Sequence, residues 1–135
     1  MKAKYFTGIF FLMVFLTSFK ISYSQDDDKI YNYVCTSSTG ENYYLDSLSV
    51  KISGDELEFW YKATNLPDKN LEFRLCQERI YLSTKQHIAL YNFNLNHNFE
   101  ISGERYPYGE NNQDIGPGSV IESLYNYIFR NYLNK

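Results

Sequence analysis

A chain of 135 residues with 13 Lys and Arg against 16 Asp and Glu carries a formal charge of −3. It has no Lys/Arg cluster of the kind that grips phosphate backbones, which argues against nucleic-acid binding and against electrostatic docking on anionic lipid. Lys2, Lys4 and Lys20 all fall in the first 24 residues, so the remaining 111 carry −6: one acidic domain, long enough to bury about 65% of its unfolded surface.

Residues 1–24 read as a Sec-type signal peptide. Lys2 and Lys4 precede an apolar run from Tyr5 to Phe19, shorter than the roughly 20 residues of a spanning helix, and Ser22 and Ser24 supply small residues for cleavage after Ser24. No cysteine stands directly behind the run, so no lipid anchor is indicated. The expectation is an exported protein of the periplasm, the outer surface or the medium, with no membrane span after cleavage. Residues 25–29, "QDDDK", form an acidic leader with nothing apolar to bury, and a single domain is expected over 30–135. Cys35 and Cys76 both survive cleavage into a compartment where disulfides persist. Paired, they would close a loop of about 42 residues, for about 4 kcal/mol in the chain-entropy treatment. Two free buried thiols or a metal pair are the other readings. There is no C-x-x-C, and neither His87 nor His97 has a ligand-like spacing to the cysteines.

From Ile30 the apolar period is two. "IYNYVC" and "NYYLD" are short strands joined by "TSSTGE". In "LSVKI" Leu48, Val50 and Ile52 alternate with Ser49 and Lys51. In "ELEFWYK" Leu57, Phe59 and Tyr61 alternate with Glu58, Trp60 and Lys62. "SGDE" between these last two has the length of a hairpin turn, with Gly54 free to take positive φ. "LEFRLCQERIYLS" is a long strand whose apolar parity slips between Leu75 and Ile80, which predicts a bulge. "HIALYNFNLNHNFEIS" carries Phe93, Leu95 and Phe99 on one face and asparagines on the other. Residues 103–118 read as the loop leading off the sheet. About six strands in series with no helix between them predict an α+β fold: a bent antiparallel meander with one C-terminal helix packed on one face. That helix starts at "PGSVIES". Pro117 and Gly118 make the corner, and Ser119 and Glu122 form a capping box. Ile121, Leu124, Tyr125, Ile128 and Tyr132 follow at helical spacing and make one apolar stripe.

No reaction chemistry is encoded in a recognisable pattern. The Gly-Pro-Gly-Ser corner lacks the lysine of a phosphate loop, and Ser119 lacks the flanking glycines of a nucleophile elbow, so a cap is the better account of it. His87 and His97 each stand alone on a β segment, with no activated nucleophile beside them and no metal-binding spacing. No catalytic residue, cofactor or metal is therefore expected. Twelve tyrosines, five phenylalanines and Trp60 follow residue 24. Exposed tyrosines mark protein-binding surfaces, but tyrosine also fills strands for structural reasons, so the aromatics decide nothing alone.

"YYLDSLSVKISGDELEFWYKA" resembles the opening signature of surface-adhesin protein E-like domains through Tyr44, Leu45, Asp46, Ser49, Gly54 and Trp60. Further on, the strand with Cys76 and Tyr81 and the "PGS" of Pro117 to Ser119 opening a terminal helix resemble the same family, so the likeness covers most of residues 40–133. It implies an exported bacterial domain with a bent antiparallel sheet and a C-terminal helix on its concave side. The family's named member is an adhesin that binds host matrix and serum proteins. In members of this kind a cysteine in the last helix ties it to the sheet; this chain has none after Cys76 and carries Cys35 early, so a strand-to-strand bridge is expected instead. The function this implies is a non-enzymatic binding domain whose partner is another protein at the cell envelope or host matrix, compatible with a homodimer. The alternative is a small-ligand carrier or sensor with an apolar pocket between helix and sheet.

Overall fold

The computed structural model describes residues 30–105 and 112–134. The expected signal peptide, the acidic leader and the middle of the loop after the sheet lie outside these residues. The fold is an antiparallel sheet with one C-terminal helix, as the periodicities predict. Among the described residues there are eight strands: β1 (Tyr31–Thr36), β2 (Asn42–Asp46), β3 (Lys51–Ser53), β4 (Glu56–Thr64), β5 (Leu71–Tyr81), β6 (Gln86–Asn96), β7 (Ile101–Arg105) and β8 (Gln113–Asp114). The main path is β1-β2-β4-β5-β6-β7, with β3 on β4 and β8 on β6. The sixth expected strand is two, because the chain turns back at Asn96–Glu100. There the Asn96 side-chain oxygen accepts from the Asn98 and Glu100 amides, and Phe99 takes φ 62°.

β4 shows how the alternating pattern becomes a core. Leu57, Phe59 and Ala63 are fully buried and Tyr61 nearly so, while Glu58, Trp60 and Lys62 point to the other face. Leu45 of β2 and Cys76 and Ile80 of β5 join them. The β3–β4 hairpin turns at Gly54, φ 59°, and pairs Ile52 with Leu57. Only Val50 of the three alternating residues before it packs on the core; Leu48 and Ile52 are exposed.

β2 and β3 follow one another along the same edge of β4, and the step between them leaves a gap in the ladder. Ser49 fills it. Its hydroxyl accepts from the Trp60 amide at 2.8 Å and donates to the Asp46 carbonyl at 2.8 Å, and the Asp46 carboxylate accepts from the Leu48 amide. Asp46, Ser49 and Trp60 of the recognised signature are thus parts of one backbone joint, with Leu45 buried beneath it. A buried amide left without its acceptor costs about 1–3 kcal/mol. Ser49→Ala is accordingly expected to lower the urea midpoint by that equivalent; an unchanged midpoint would show that the joint is not held by this hydroxyl.

The predicted bulge occurs at the predicted level of the sheet but on the neighbouring strand. β5 runs without a break against β4, whereas Gln77 pairs with Tyr91 and Glu78 with Ala89, so the extra residue is Leu90 of β6. The parity slip in β5 has another cause: Cys76, Glu78 and Ile80 face the helix side while Leu75 faces the opposite side, where apolar residues also gather. At the far edge, β7 approaches β6 so closely at Gly103 (φ 143°) that a Cβ there would lie 2.1 Å from the Asn92 carbonyl oxygen. Only glycine fits that position.

The helix, α1 (Val120–Ile128), starts where expected. Ser119 Oγ accepts from the Glu122 amide at 3.1 Å, and Glu122 reaches back to the Gly118 amide at 2.6 Å. Leu124 and Ile128 are fully buried against Leu45, Leu57, Phe59 and Ile80, with Ile121, Tyr125 and Tyr132 partly buried around them. The last turn, Phe129–Leu133, widens to a π-helix. Leu124 and Ile128 fill the space between helix and sheet where the alternative reading placed an apolar pocket.

The expected Cys35–Cys76 bridge is also corrected, since both cysteines are free thiols. Cys35 is on β1 and Cys76 on β5, with β2 and β4 between them. Three strand spacings amount to about 14 Å, against the roughly 4.4–6.8 Å between Cα atoms that a disulfide spans. The bulge between Tyr33 and Cys35 turns Cys35 toward the helix, where the Ser123 hydroxyl lies within hydrogen-bonding reach of its thiol. Burial pushes both thiols up from their ordinary pKa.

Candidate functional site: an aromatic face of the sheet

Strand parity sends one set of rings into the core, namely Tyr43, Phe59 and Tyr61, and a larger set to the face away from α1. On that face the register aligns a single row across five strands. Tyr33 of β1 lies opposite Tyr44 of β2, Tyr44 opposite Lys62 of β4, Lys62 opposite Leu75 of β5, and Leu75 opposite Phe93 of β6. A second row places Trp60, Gln77 and Tyr91 side by side. All of these residues are partly exposed, and Tyr33 is 55% exposed.

The rings order one another. Trp60, Tyr91 and Phe93 lie with centroids 5.7–6.2 Å apart and planes within 25° of parallel. Tyr33 meets Tyr44 edge to face at 5.7 Å. Between the two groups stands Lys62, its Nζ 4.3 Å from the Tyr31 ring centre, 5.6 Å from that of Phe73 and 6.0 Å from that of Tyr44. Offset-stacked pairs contribute about 0.5–1.5 kcal/mol each beyond burial, and an ammonium over a ring about 0.5–1 kcal/mol at an exposed site. The face is therefore a stiffened platform of amphipathic rings rather than a set of independently moving side chains. At its margin Arg79 makes an ion pair with Glu58 at 2.6 Å, and the second acid, Glu56, lies 3.5 Å away.

The residues considered for chemistry are committed elsewhere. Ser119 caps α1. His97 Nε2 is 3.1 Å from the Lys69 carbonyl oxygen. His87 Nδ1 is 3.2 Å from the Glu78 carboxylate, and His87 is opposite Ile80, four residues along β5 from Cys76. That is about 13 Å at 3.3 Å per residue, so histidine and thiol are not a catalytic pair. The aromatic platform went unseen in the sequence because its rings come from five separated segments. Its local traces are pairs at spacing two: Tyr31 and Tyr33 in β1, Trp60 and Lys62 on the polar parity of β4, and Tyr91 and Phe93 in β6.

No family model and no curated protein matches the chain. Among solved structures, that of protein E from non-typeable Haemophilus influenzae is similar over 74% of this chain and 76% of that chain, with 15% identity and a TM-score of 0.46. A likeness at that level decides neither fold nor function. Among the described residues no helix is long and apolar enough to cross a membrane.

Proposed function

We propose that this chain is an exported, non-enzymatic protein-binding domain, in the manner of the surface-adhesin protein E-like domains that its 40–133 segment resembles, and that the aromatic face is its contact surface. The observation that carries this is the register-aligned row of Tyr33, Tyr44, Lys62, Leu75 and Phe93, all at least partly exposed, on the side of the sheet opposite α1. Tyr and Trp dominate the energetic centres of protein interfaces because they bring large rigid area with a polar edge. The acidic charge of the chain disfavours nucleic acid and anionic lipid as partners. The absence of a reaction is supported by the hydroxyl, imidazole and thiol placements above. The signature itself supports only the fold, since Asp46, Ser49 and Trp60 hold a strand joint.

The test is surface plasmon resonance of chain 25–135 against purified matrix glycoproteins and solubilised envelope proteins. Wild type is expected to retain a partner saturably. A Tyr44→Ala/Trp60→Ala double variant with an unchanged circular dichroism spectrum is expected to lose about thirtyfold or more in affinity, the scale of hot-spot truncation. Equal binding by the double variant, or no retention by folded wild type, would overturn the assignment.

A further inference from the structure

On the aromatic face, Trp60, Tyr91 and Phe93 form a tile rather than a column. Their ring centres stand 5.7, 5.7 and 6.2 Å apart, with planes 14–25° from parallel. In a column of three rings the outer pair lies twice as far apart as neighbours, so the near-equal distances set these rings side by side at one inclination. All three are partly exposed. Gln77 of β5 lies in register between Trp60 and Tyr91. Two residues further along the same strands, about 7 Å away, Arg79 donates from Nε and Nη2 to Glu58 Oε1 at 2.9 and 2.6 Å.

Ring faces carry the negative side of the aromatic quadrupole, so the tile suits a flat ligand with C–H bonds on its faces and hydrogen-bonding groups round its rim. A pyranose ring has that form: its axial C–H bonds gather on the ring faces and its hydroxyls stand at the edge. The planar amide of Gln77 offers a donor and an acceptor side by side for neighbouring hydroxyls, and the Glu58–Arg79 pair extends the same chemistry along the margin. The cations of this region are already engaged. Arg79 is paired with Glu58, and Lys62 Nζ sits over the rings of Tyr31, Phe73 and Tyr44. A neutral sugar therefore fits better than a uronic or sialic acid, whose carboxylate needs a cation of its own. From this we infer that the aromatic face reads the glycan of a glycoprotein partner, a neutral β-(1→4)-linked hexose segment lying across Trp60, Tyr91 and Phe93 with its hydroxyls on Gln77 and the Glu58–Arg79 pair. The equatorial β-(1→4) linkage holds successive rings in one plane, as the tile requires, whereas an α-(1→4) chain coils. The inference rests on the reading of this face as the contact surface and specifies what it touches.

Trp60 is the only tryptophan of the chain, so its fluorescence reads stacking at the tile directly. Titration of chain 25–135 with cellotetraose and chitotetraose is expected to change the emission saturably for at least one of them, with maltotetraose binding about tenfold or more weakly, on the scale of one lost ring contact. In isothermal titration Phe93→Ala should weaken the same tetrasaccharide by a similar factor, while Phe93→Tyr, which keeps the ring, should bind about as tightly as wild type. Gln77→Ala serves as a second probe if Phe93→Ala fails to fold. A matrix glycoprotein retained by the chain should be lost once its glycans are removed enzymatically. No saturable binding of either β-linked tetrasaccharide by the folded chain, maltotetraose bound as tightly, undiminished binding by folded Phe93→Ala, or equal retention of the deglycosylated protein would each overturn the inference. Equal retention would leave the protein-binding reading of the face standing, whereas failure to retain either form of any glycoprotein would overturn that reading as well.

Discussion

Shortening either Leu124 or Ile128 to alanine is expected to lower the unfolding free energy by about 2–5 kcal/mol, seen as a shift of the urea midpoint and a fall in melting temperature. Both side chains are fully buried in one cluster with the sheet's core residues, so a truncation leaves a cavity that the surrounding strands cannot close. A domain of this size has a net stability of about 5–15 kcal/mol, and a melting temperature falls by about 4–8 °C per kcal/mol lost. The double variant should therefore be largely unfolded at room temperature. Phe129→Ala is the control, because Phe129 is 44% exposed and its loss should cost well under half as much as either core truncation. If Leu124→Ala instead kept the wild-type midpoint, the helix would not be part of the cooperative core.

The second large effect is a new covalent tie. Ser123→Cys is expected to form a disulfide with Cys35, since the Ser123 hydroxyl already lies within hydrogen-bonding reach of the Cys35 thiol and α1 packs on β1. The closed loop of about 88 residues would add about 2–4 kcal/mol of stability, and more than 4 in the pure chain-entropy treatment. Oxidised variant should be two mass units lighter than reduced variant, about one per thiol hydrogen lost, whereas wild type should show no change on reduction because its two cysteines lie three strands apart. Formation will be slow near neutral pH. Burial holds the Cys35 thiol above its ordinary range, and exchange proceeds through the thiolate. A variant that stays reduced under a mild oxidant while folded would show that helix and β1 do not meet at this residue. The tie also separates two ideas of function. Fastening the helix should leave partner binding at the aromatic face unchanged, since that face is on the far side of the sheet, and a loss of binding would mean that the helix must lift.

Several elements were legible in the residues because their causes are local. The alternation of Leu57, Phe59 and Tyr61 forced β4 to bury one side. Gly54 marked the hairpin, and Ser119 with Glu122 marked the first turn of α1, since a cap needs only residues three apart. The stripe Leu124–Ile128 marked the face the helix would bury. Other readings failed for a common reason. The cysteine pair was inferred from count and compartment, but pairing depends on strand order, which put β2 and β4 between them. Phe93 and Leu95 alternate with asparagines, which reads as one apolar and one amide-rich face without saying which of them meets the helix. The bulge at Leu90 sends them to the aromatic face and turns Asn92 and Asn94 toward the helix side, where they meet Cys76 and Arg74. Ser49 stood out only as a signature residue; its work became visible once β2 and β3 were seen to share one edge of β4.

The sequence alone determined the kind of elements, the site of the hairpin and the cap, and the acidic charge, because each follows from composition, backbone preferences and side-chain period over a few residues. Only the tertiary structure decided which rings share a face and which thiol meets which neighbour. Those outcomes depend on register between strands tens of residues apart, where a single extra residue reverses every side chain beyond it.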